Sequence, residues 1–470
     1  MQARRILLTV PIQTVSKGNG LLDVGLGSVA AACRHAGWDV TLVDWNTQMT
    51  LGDLEGFLEK ERFDLVGIKV FTQDFDAARR TLRQARVSQP SAATLMGGPH
   101  PTGSLPKDLW EEFGDDLDFA MAGDGEPGMM ALLEAWNQAG GRPNADTLCR
   151  VPGLRFRDQG RIHANEPVFL EDLDSLPLRD LSLQDPRTYD FWESGAMGRV
   201  APVHTGRGCP CRCGYCIAWK INGPKARLRS LESIQEEIHV LTTVYGVRRI
   251  HFMDNVFLSD RDRVEKLCRW LIEKRYRLTW DFVPTSYFRE LLDPSLPPLL
   301  YRAGCTEALF GIESGSEAVL RRIHKNGSPE EYAQAVHACV RAGIHCLGFF
   351  MFGFPDETLE EMEQTLSFAM SLPFSARMFG ICLPFPGTSS HGRLLEKHGI
   401  QRVDWGSYDF TKPSLLPSQA SLSQVMAMRD RANREHLKTW TGIKGLGQMI
   451  LRRVVRKVRL FMKTKATLGG

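Results

Sequence analysis

Four cysteines stand close together in the stretch Cys209-Pro-Cys211-Arg-Cys213-Gly-Tyr215-Cys216. Cys209, Cys213 and Cys216 are spaced C-x3-C-x2-C. Soft thiolates suit iron–sulfur clusters. Three of them on one short loop can hold three irons of a [4Fe–4S] cube and leave the fourth iron open to bind something else. A structural zinc site wants four ligands, typically in two C-x2-C pairs, and no second pair occurs. Cys211 offers an alternative C-x-C-x2-C set; the wider spacing leaves more room for a loop to wrap a cube. Cys33, Cys149, Cys268, Cys305, Cys339, Cys346 and Cys382 are scattered singly among apolar stretches and read as small buried hydrophobes.

With the aromatic Tyr215 just before its last cysteine, the loop resembles the radical S-adenosylmethionine superfamily. The resemblance implies that the open iron is chelated by the amino and carboxylate groups of S-adenosylmethionine. One electron from the cluster then cleaves the sulfonium and yields a 5′-deoxyadenosyl radical. The sequence names no catalytic side chain beyond the cofactor ligands.

The loop needs a scaffold. From about residue 200, apolar runs at Pro202–Thr205, Arg249–Met253, Thr279–Val283, Ala308–Ile312, His345–Phe352 and Arg377–Leu383 alternate with helical runs. Six βα units predict a partial (β/α)6 barrel over residues 200–390, with chemistry at the strand carboxyl ends. The cysteine loop follows the first strand. Other strand ends also resemble the family's cofactor-binding segments. The resemblance implies S-adenosylmethionine contacts at Asp254, Asn255, Glu313, Ser314, Gly353, Pro386 and Gly387. Glu313 is the best polar contact, because an acid ending an apolar strand in a barrel mouth is costly without a partner; the alternative is an acid placed at a helix N-terminus. Two departures stand out. Phe354 and Asp356 occupy positions of the fifth-strand motif where the family has small residues, and no Gly-Gly-Glu triplet follows the second strand.

Residues 1–145 show five further βα units, with strands at Ile6–Pro11, Asp39–Asp44, Leu65–Phe71, Thr94–Gly98 and Leu117–Ala122. This predicts a doubly wound α/β domain of Rossmann or flavodoxin type, with ligands at the strand carboxyl ends. Glycine-rich segments fall there: Ser16–Gly20, Gly97-Gly98-Pro99-His100 and Gly123-Asp124-Gly125-Glu126. They let a large ligand approach the backbone, or they are simply tight turns. GGPHPTG after the fourth strand and AGDGEP after the fifth are similar to the cobalamin-binding subfamily of radical S-adenosylmethionine enzymes, the class B methyltransferase type. That implies corrin contacts at Gly97, Gly98, Gly123, Gly125 and Glu126. The cobalt-ligating D-x-H-x-x-G signature is missing, so Phe71, Thr72 and Gln73 are expected nearest the lower corrin face, with His100 as an alternative axial ligand. Residues 146–199 read as a linker with a hairpin around Gln159-Gly160, then a proline-spaced acidic strap.

The 470-residue chain is 43% hydrophobic and 24% charged, ordinary for a globular protein. Eleven cysteines without a secretory segment or membrane span argue for a reducing cytoplasm. Residues 391–470 read as a helical region. Its segment Ile443–Lys465 carries eight cations and no acid, so the net charge of +3 leaves −5 on the rest. Ile443, Leu446, Ile450, Val454, Val458 and Phe461 recur at helical spacing. This is a basic amphipathic helix, which suits peripheral contact with the inner face of a membrane, a partner, or the chain's own acidic body. A broad nucleic-acid face is not expected.

The expected cofactors are a [4Fe–4S] cluster, S-adenosylmethionine and cobalamin. An external one-electron donor such as flavodoxin or ferredoxin is expected with them, and a small-molecule or lipid-like substrate. The leading function is methyl transfer to an unactivated carbon. The alternative uses the same cofactors for oxidative cyclisation, ring contraction or another rearrangement. Methylthiolation needs three further N-terminal cysteines, and only Cys33 and Cys149 precede the barrel. A cobalamin-binding module without activity would not need the cysteine loop.

Overall fold

The computed structural model describes residues 4–12, 22–44, 49–189, 199–284, 287–398, 403, 405 and 418–439. The Ser16–Gly20 segment and the basic tail at 443–465 lie outside them.

The first sheet has seven strands: β1 (Arg5–Thr9), β2 (Asp39–Val43), β3 (Leu65–Lys69), β4 (Ala93–Gly97), β5 (Phe119–Met121), β6 (Leu154–Asp158) and β7 (Arg161–Ala164). Their order is β2-β1-β3-β4-β5-β6-β7. The first five are parallel, which gives the flavodoxin-type order 2-1-3-4-5. The hairpin expected within the linker belongs to this sheet, because β6 pairs antiparallel with β5. Its turn has φ +46° at Gln159 and +79° at Gly160, the left-handed pair that matches strand twist in a two-residue loop.

Helices cover both faces. The helix Leu51–Lys60 opens on a capping box, with Thr50 and Asp53 satisfying each other's backbone N–H groups. The strap beyond the hairpin is tied to the sheet through Asp44, which accepts from Gln184 Nε2 at 2.8 Å and from the Tyr189 hydroxyl.

The second sheet contains β8 (Arg199–Val203), then β11 (Val247–Phe252), β12 (Thr279–Phe282), β13 (Cys305–Glu313), β14 (His345–Phe352) and β15 (Ala376–Ile381); a small ribbon of β9 (Gly206–Arg207) and β10 (Arg227–Leu228) interrupts the count. The order β15-β14-β13-β12-β11-β8 is parallel throughout, an open six-stranded barrel.

Alternation along these strands sorts their side chains. Ile250, Phe252, Trp280, Phe282, Phe310, Phe350 and Phe352 are buried in one core with the surrounding helices. The opposite, inward face has a charged belt, in which His251 is in register with Asp281 and Asp281 with Glu307. Above it lies an apolar belt, in which Leu309 neighbours Leu347 and Phe349 neighbours Met378. Among the described residues no helix is long and apolar enough to cross a membrane.

Candidate functional site

The cysteine loop leaves the barrel just after β9. Gly208 starts it at φ +101°, where a Cβ would lie 1.8 Å from the Lys225 carbonyl oxygen, so only glycine fits. Pairing of β9 with β10 closes the base. The Cys209 N–H donates to the Gly223 carbonyl at 3.0 Å, and the Gly214 N–H to the Ile323 carbonyl at 2.9 Å. The Gly214 carbonyl accepts from Ser390 N at 2.9 Å and from Ser389 Oγ at 3.2 Å. Tyr215 meets Phe354 edge-on at 5.4 Å. Phe354, large where a small residue is expected, is thus a buttress for the loop.

Cys209 and Cys213 are buried and Cys216 half-buried. Burial pushes the Cys216 thiol up to about 11. Thiols gathered under such desolvation ionise readily only against a positive partner, which iron supplies. Among the described residues no three His, Cys, Asp or Glu side chains are spaced for a single metal ion. A four-iron cube takes its thiolates at separate corners, so its ligands need not converge. Three thiols on one loop, two of them buried, are the kind of donor set a cluster takes. Cys149, by contrast, is exposed, with its Sγ 3.6 Å from His163 Nδ1, and is not a core residue.

A cavity of about 740 Å³ separates the carboxyl ends of the first sheet from this loop. Gly97, Gly98, Gly123, Gly125 and Phe71 line one side, and Tyr215, Cys216, Met253 and Met351 the other. Gly98 has φ +99°, and a Cβ there would press on the backbone of Val70 at 3.1 Å. Gly123 has φ +82°, with the Pro167 Cβ 2.8 Å from where its own would stand. Gly97 has nothing within 4 Å of a Cβ, so its bareness is open space facing the cavity. A wide, apolar cradle floored by glycine backbone fits a corrin.

Several residues expected around this ligand stand elsewhere. Thr72 is buried, with its hydroxyl 3.2 Å from His100 Nδ1, and neither residue lines the cavity. His100 is enclosed by Phe75 and Trp405, both edge-on. It is therefore no axial ligand. Gln73 is exposed and also outside the lining. Glu126 touches the cavity, but its carboxylate takes two hydrogen bonds from Arg207 across the domain boundary, at 2.6 and 3.0 Å.

Two cations line this cavity, Arg207 and Lys69, of which Lys69 ends β3. Its Nζ lies 2.6 Å from Asp23 Oδ1 and sits 5.2 Å above the Phe71 ring. Burial alone would raise the Asp23 carboxyl, but the Lys69 ammonium and the Leu26 N–H together hold the group below its ordinary range. His204 is kept neutral, pushed down to about 3 by burial and then by the charge of Arg207.

At the barrel mouth, the Asp254 carboxylate accepts from Thr205 N at 2.8 Å and Thr205 Oγ1 at 2.9 Å. It clamps the end of β8 to the end of β11. Burial lifts it to about 6 against those bonds. Asn255 is half-buried beside it. Ser314 is wholly buried, its hydroxyl 2.9 Å from Thr365 Oγ1, so it secures a helix and does not face the mouth. Gly353 donates its N–H to Glu357 Oε2 at 2.6 Å, and Phe354 donates to the same oxygen at 3.0 Å. Pro386 and Gly387 pack on Gly103 of the first domain, where a Cβ would be 2.5 Å from the Pro386 oxygen. Glu313 does stand at the mouth, paired with Lys325 at 3.5 Å.

Sequence reasoning missed Lys69, Asp23, Arg207, Lys325 and Glu357. A signal existed for Lys69, a charge ending an otherwise apolar strand, as with Glu313. Lys325 and Glu357 carry none, because their partners are set by the fold.

Residues 14–133 match the B12 binding domain, and residues 203–369 match the Radical SAM superfamily. An uncharacterized methyltransferase of Pyrococcus horikoshii is 27% identical over 440 residues, covering 92% of both chains. The anaerobic magnesium-protoporphyrin IX monomethyl ester cyclase of Rubrivivax gelatinosus is 27% identical over 366 residues, 77% of this chain and 64% of the cyclase. Among solved structures, the radical S-adenosylmethionine methyltransferase TsrM from Kitasatospora setae, with cobalamin and a [4Fe–4S] cluster bound, shares the fold at a TM-score of 0.73 and 18% identity, over 97% of this chain and all of that one.

Proposed function

We propose that this chain, a member of the radical S-adenosylmethionine superfamily with a B12-binding domain ahead of its barrel, transfers a methyl group to an unactivated carbon of an apolar small molecule. The observation that carries the reading is the shared cavity, walled by the glycine cradle on one side and by Cys216 and Tyr215 on the other. Two cofactors that must act on one substrate have to face each other, and this cavity is where they can.

Cys209, Cys213 and Cys216 are the proposed cluster ligands. Gly97, Gly98, Gly123, Gly125 and Phe71 form the corrin side. Glu313, Asn255 and Gly353, at the strand ends, are the proposed contacts for S-adenosylmethionine. When bound, these groups supply a methyl donor and a hydrogen-abstracting radical. The chain contributes alignment and an apolar stretch of lumen wall. Met351 and Met253 line the cavity, and the apolar belt continues from them through Phe349 and Met378. Met253 is 46% and Met378 55% exposed, which favours a hydrocarbon-rich substrate over a charged one. An external flavodoxin or ferredoxin is the proposed electron donor.

A second reading, cyclisation without methyl transfer, is favoured by the similarity to the cyclase. Anaerobic reconstitution with iron, sulfide and cobalamin, then turnover with methyl-labelled S-adenosylmethionine and a panel of porphyrins and polycyclic hydrocarbons, separates the two. Labelled product supports methylation. 5′-Deoxyadenosine with an unlabelled, oxidised product supports cyclisation. A triple Cys209, Cys213 and Cys216 to Ala variant that retains its iron–sulfur absorbance sinks both.

A further inference from the structure

We propose that Lys325 is a positioning residue for electron entry: its buried ammonium offsets the charge of Glu313 beside the cysteine loop and thereby sets the reduction potential of the cluster. This rests on the cluster reading above.

The observation is a strained turn that holds a buried ion pair beside the cysteine loop. Among the described residues five that are not glycine have positive φ, and Glu313 at +76° and His324 at +54° are two of them. Such conformations persist only where the surroundings enforce them. The strand β13 slips register between Gly311 and Glu313 as it ends. The helix Glu317–Arg322 follows, and the turn after it is fixed by the Lys325 N–H donating to the Leu320 carbonyl at 2.9 Å. The two distortions bring the Lys325 ammonium to 3.5 Å from the Glu313 carboxylate, with side chains only 6% and 13% exposed.

This pair belongs to the loop. The residue between His324 and the helix, Ile323, accepts the Gly214 N–H within the cysteine motif. Burial, and then the Glu313 charge, hold the Tyr215 phenol well above its ordinary range. Both charges act on Cys213, and the Lys325 charge also reaches Cys216.

Reduction adds one electron from the external donor to the cluster and breaks no bond. A fixed cation nearby stabilises the reduced state and a fixed anion opposes it, more strongly in a desolvated setting than in water. At Cys213 the charges of Lys325 and Glu313 oppose each other, and at Cys216 the Lys325 charge acts without that opposition. Removing one exposes the other, so the two single variants must shift the potential in opposite directions.

The test is a reductive titration of the reconstituted full chain, followed by paramagnetic resonance, without S-adenosylmethionine. K325M should move the potential to more negative values and E313Q to more positive ones. K325R should lie near the wild type, and the double variant K325M/E313Q between the two single variants. Should K325M fail to take up iron, the double variant, neutral again at this site, should load and lie negative of E313Q. Shifts of the same sign in the two single variants, an unshifted K325M with full iron content, or a double variant that loads no iron would overturn the proposal. A wild-type chain that takes up no iron and sulfide would instead remove the cluster reading beneath it.

Discussion

Arg207 and Glu126 face each other across the domain boundary and share two parallel hydrogen bonds, Nη2 to Oε1 at 2.6 Å and Nη1 to Oε2 at 3.0 Å. Arg207 precedes the cysteine loop by one residue, and Glu126 opens the helix that follows the glycine turn after β5. The pair thus fixes one wall of the cavity against the other. Both side chains are largely buried, at 17% and 3% exposure. Breaking such a pair strands a charge and costs about 3–5 kcal/mol. Glu126→Gln and Arg207→Met should each lower the urea midpoint and release bound cobalamin. Arg207→Lys should not restore wild-type behaviour, because an ammonium cannot match the bidentate geometry. Wild-type urea midpoints and cobalamin retention in all three would refute the role.

Gly97 and Gly98 are adjacent and should fail differently. Gly98→Ala forces a methyl group onto the Val70 backbone at a left-handed φ, so folding stability should drop by more than about 1 kcal/mol. Gly97→Ala meets no protein atom within 4 Å and should fold normally, yet its methyl occupies the corrin side of the cavity. Thermal unfolding and cobalamin absorbance after gel filtration separate the two effects. Tight cobalamin binding by Gly97→Ala would show that the corrin lies elsewhere.

Glu357 gives the chain a pH dependence. Its carboxyl is wholly buried, and burial pushes it from 4.5 up to about 8, against two backbone N–H donors. Between those values the folded chain holds a proton that the unfolded chain has released, so stability falls as pH rises. The contribution is complete below about 4.5 and gone above about 8. The urea midpoint should decline between pH 5 and pH 8, and Glu357→Gln should flatten that decline. Identical slopes in both proteins would exclude Glu357 as the source.

The basic segment Ile443–Lys465 is expected to bind anionic vesicles, at about 1 kcal/mol per cation near the surface, and to release them in salt. Truncation after Trp440 should abolish sedimentation with vesicles and leave cleavage of S-adenosylmethionine intact. Equal sedimentation of both chains would show that another surface is responsible.

Regular elements were legible because their signals are local. The strand His345–Phe352 has the bounds expected from periodicity, and the helix Leu51–Lys60 is marked by its Thr50 cap. The cysteine loop was legible for the same reason. Polar residues at strand ends were not. Thr72, Asp254 and Ser314 have the types and positions of ligand contacts, but each is engaged by a residue distant in sequence: His100, Thr205 and Thr365. A short polar side chain at a strand end looks the same whether it faces a ligand or closes a corner. Only the fold decides which.

The contact at Gly103 has a consequence for inheritance. A side chain there would strike the Pro386 carbonyl, and one at Gly387 would come within 2.8 Å of the Gly103 oxygen. Each half of the chain therefore carries a blank cut to the shape of the other. A sheet domain transplanted from a relative will seat on this barrel only if it brings a bare backbone to that point. Recombination between lineages, natural or engineered, is filtered here by fit before any chemistry is tested.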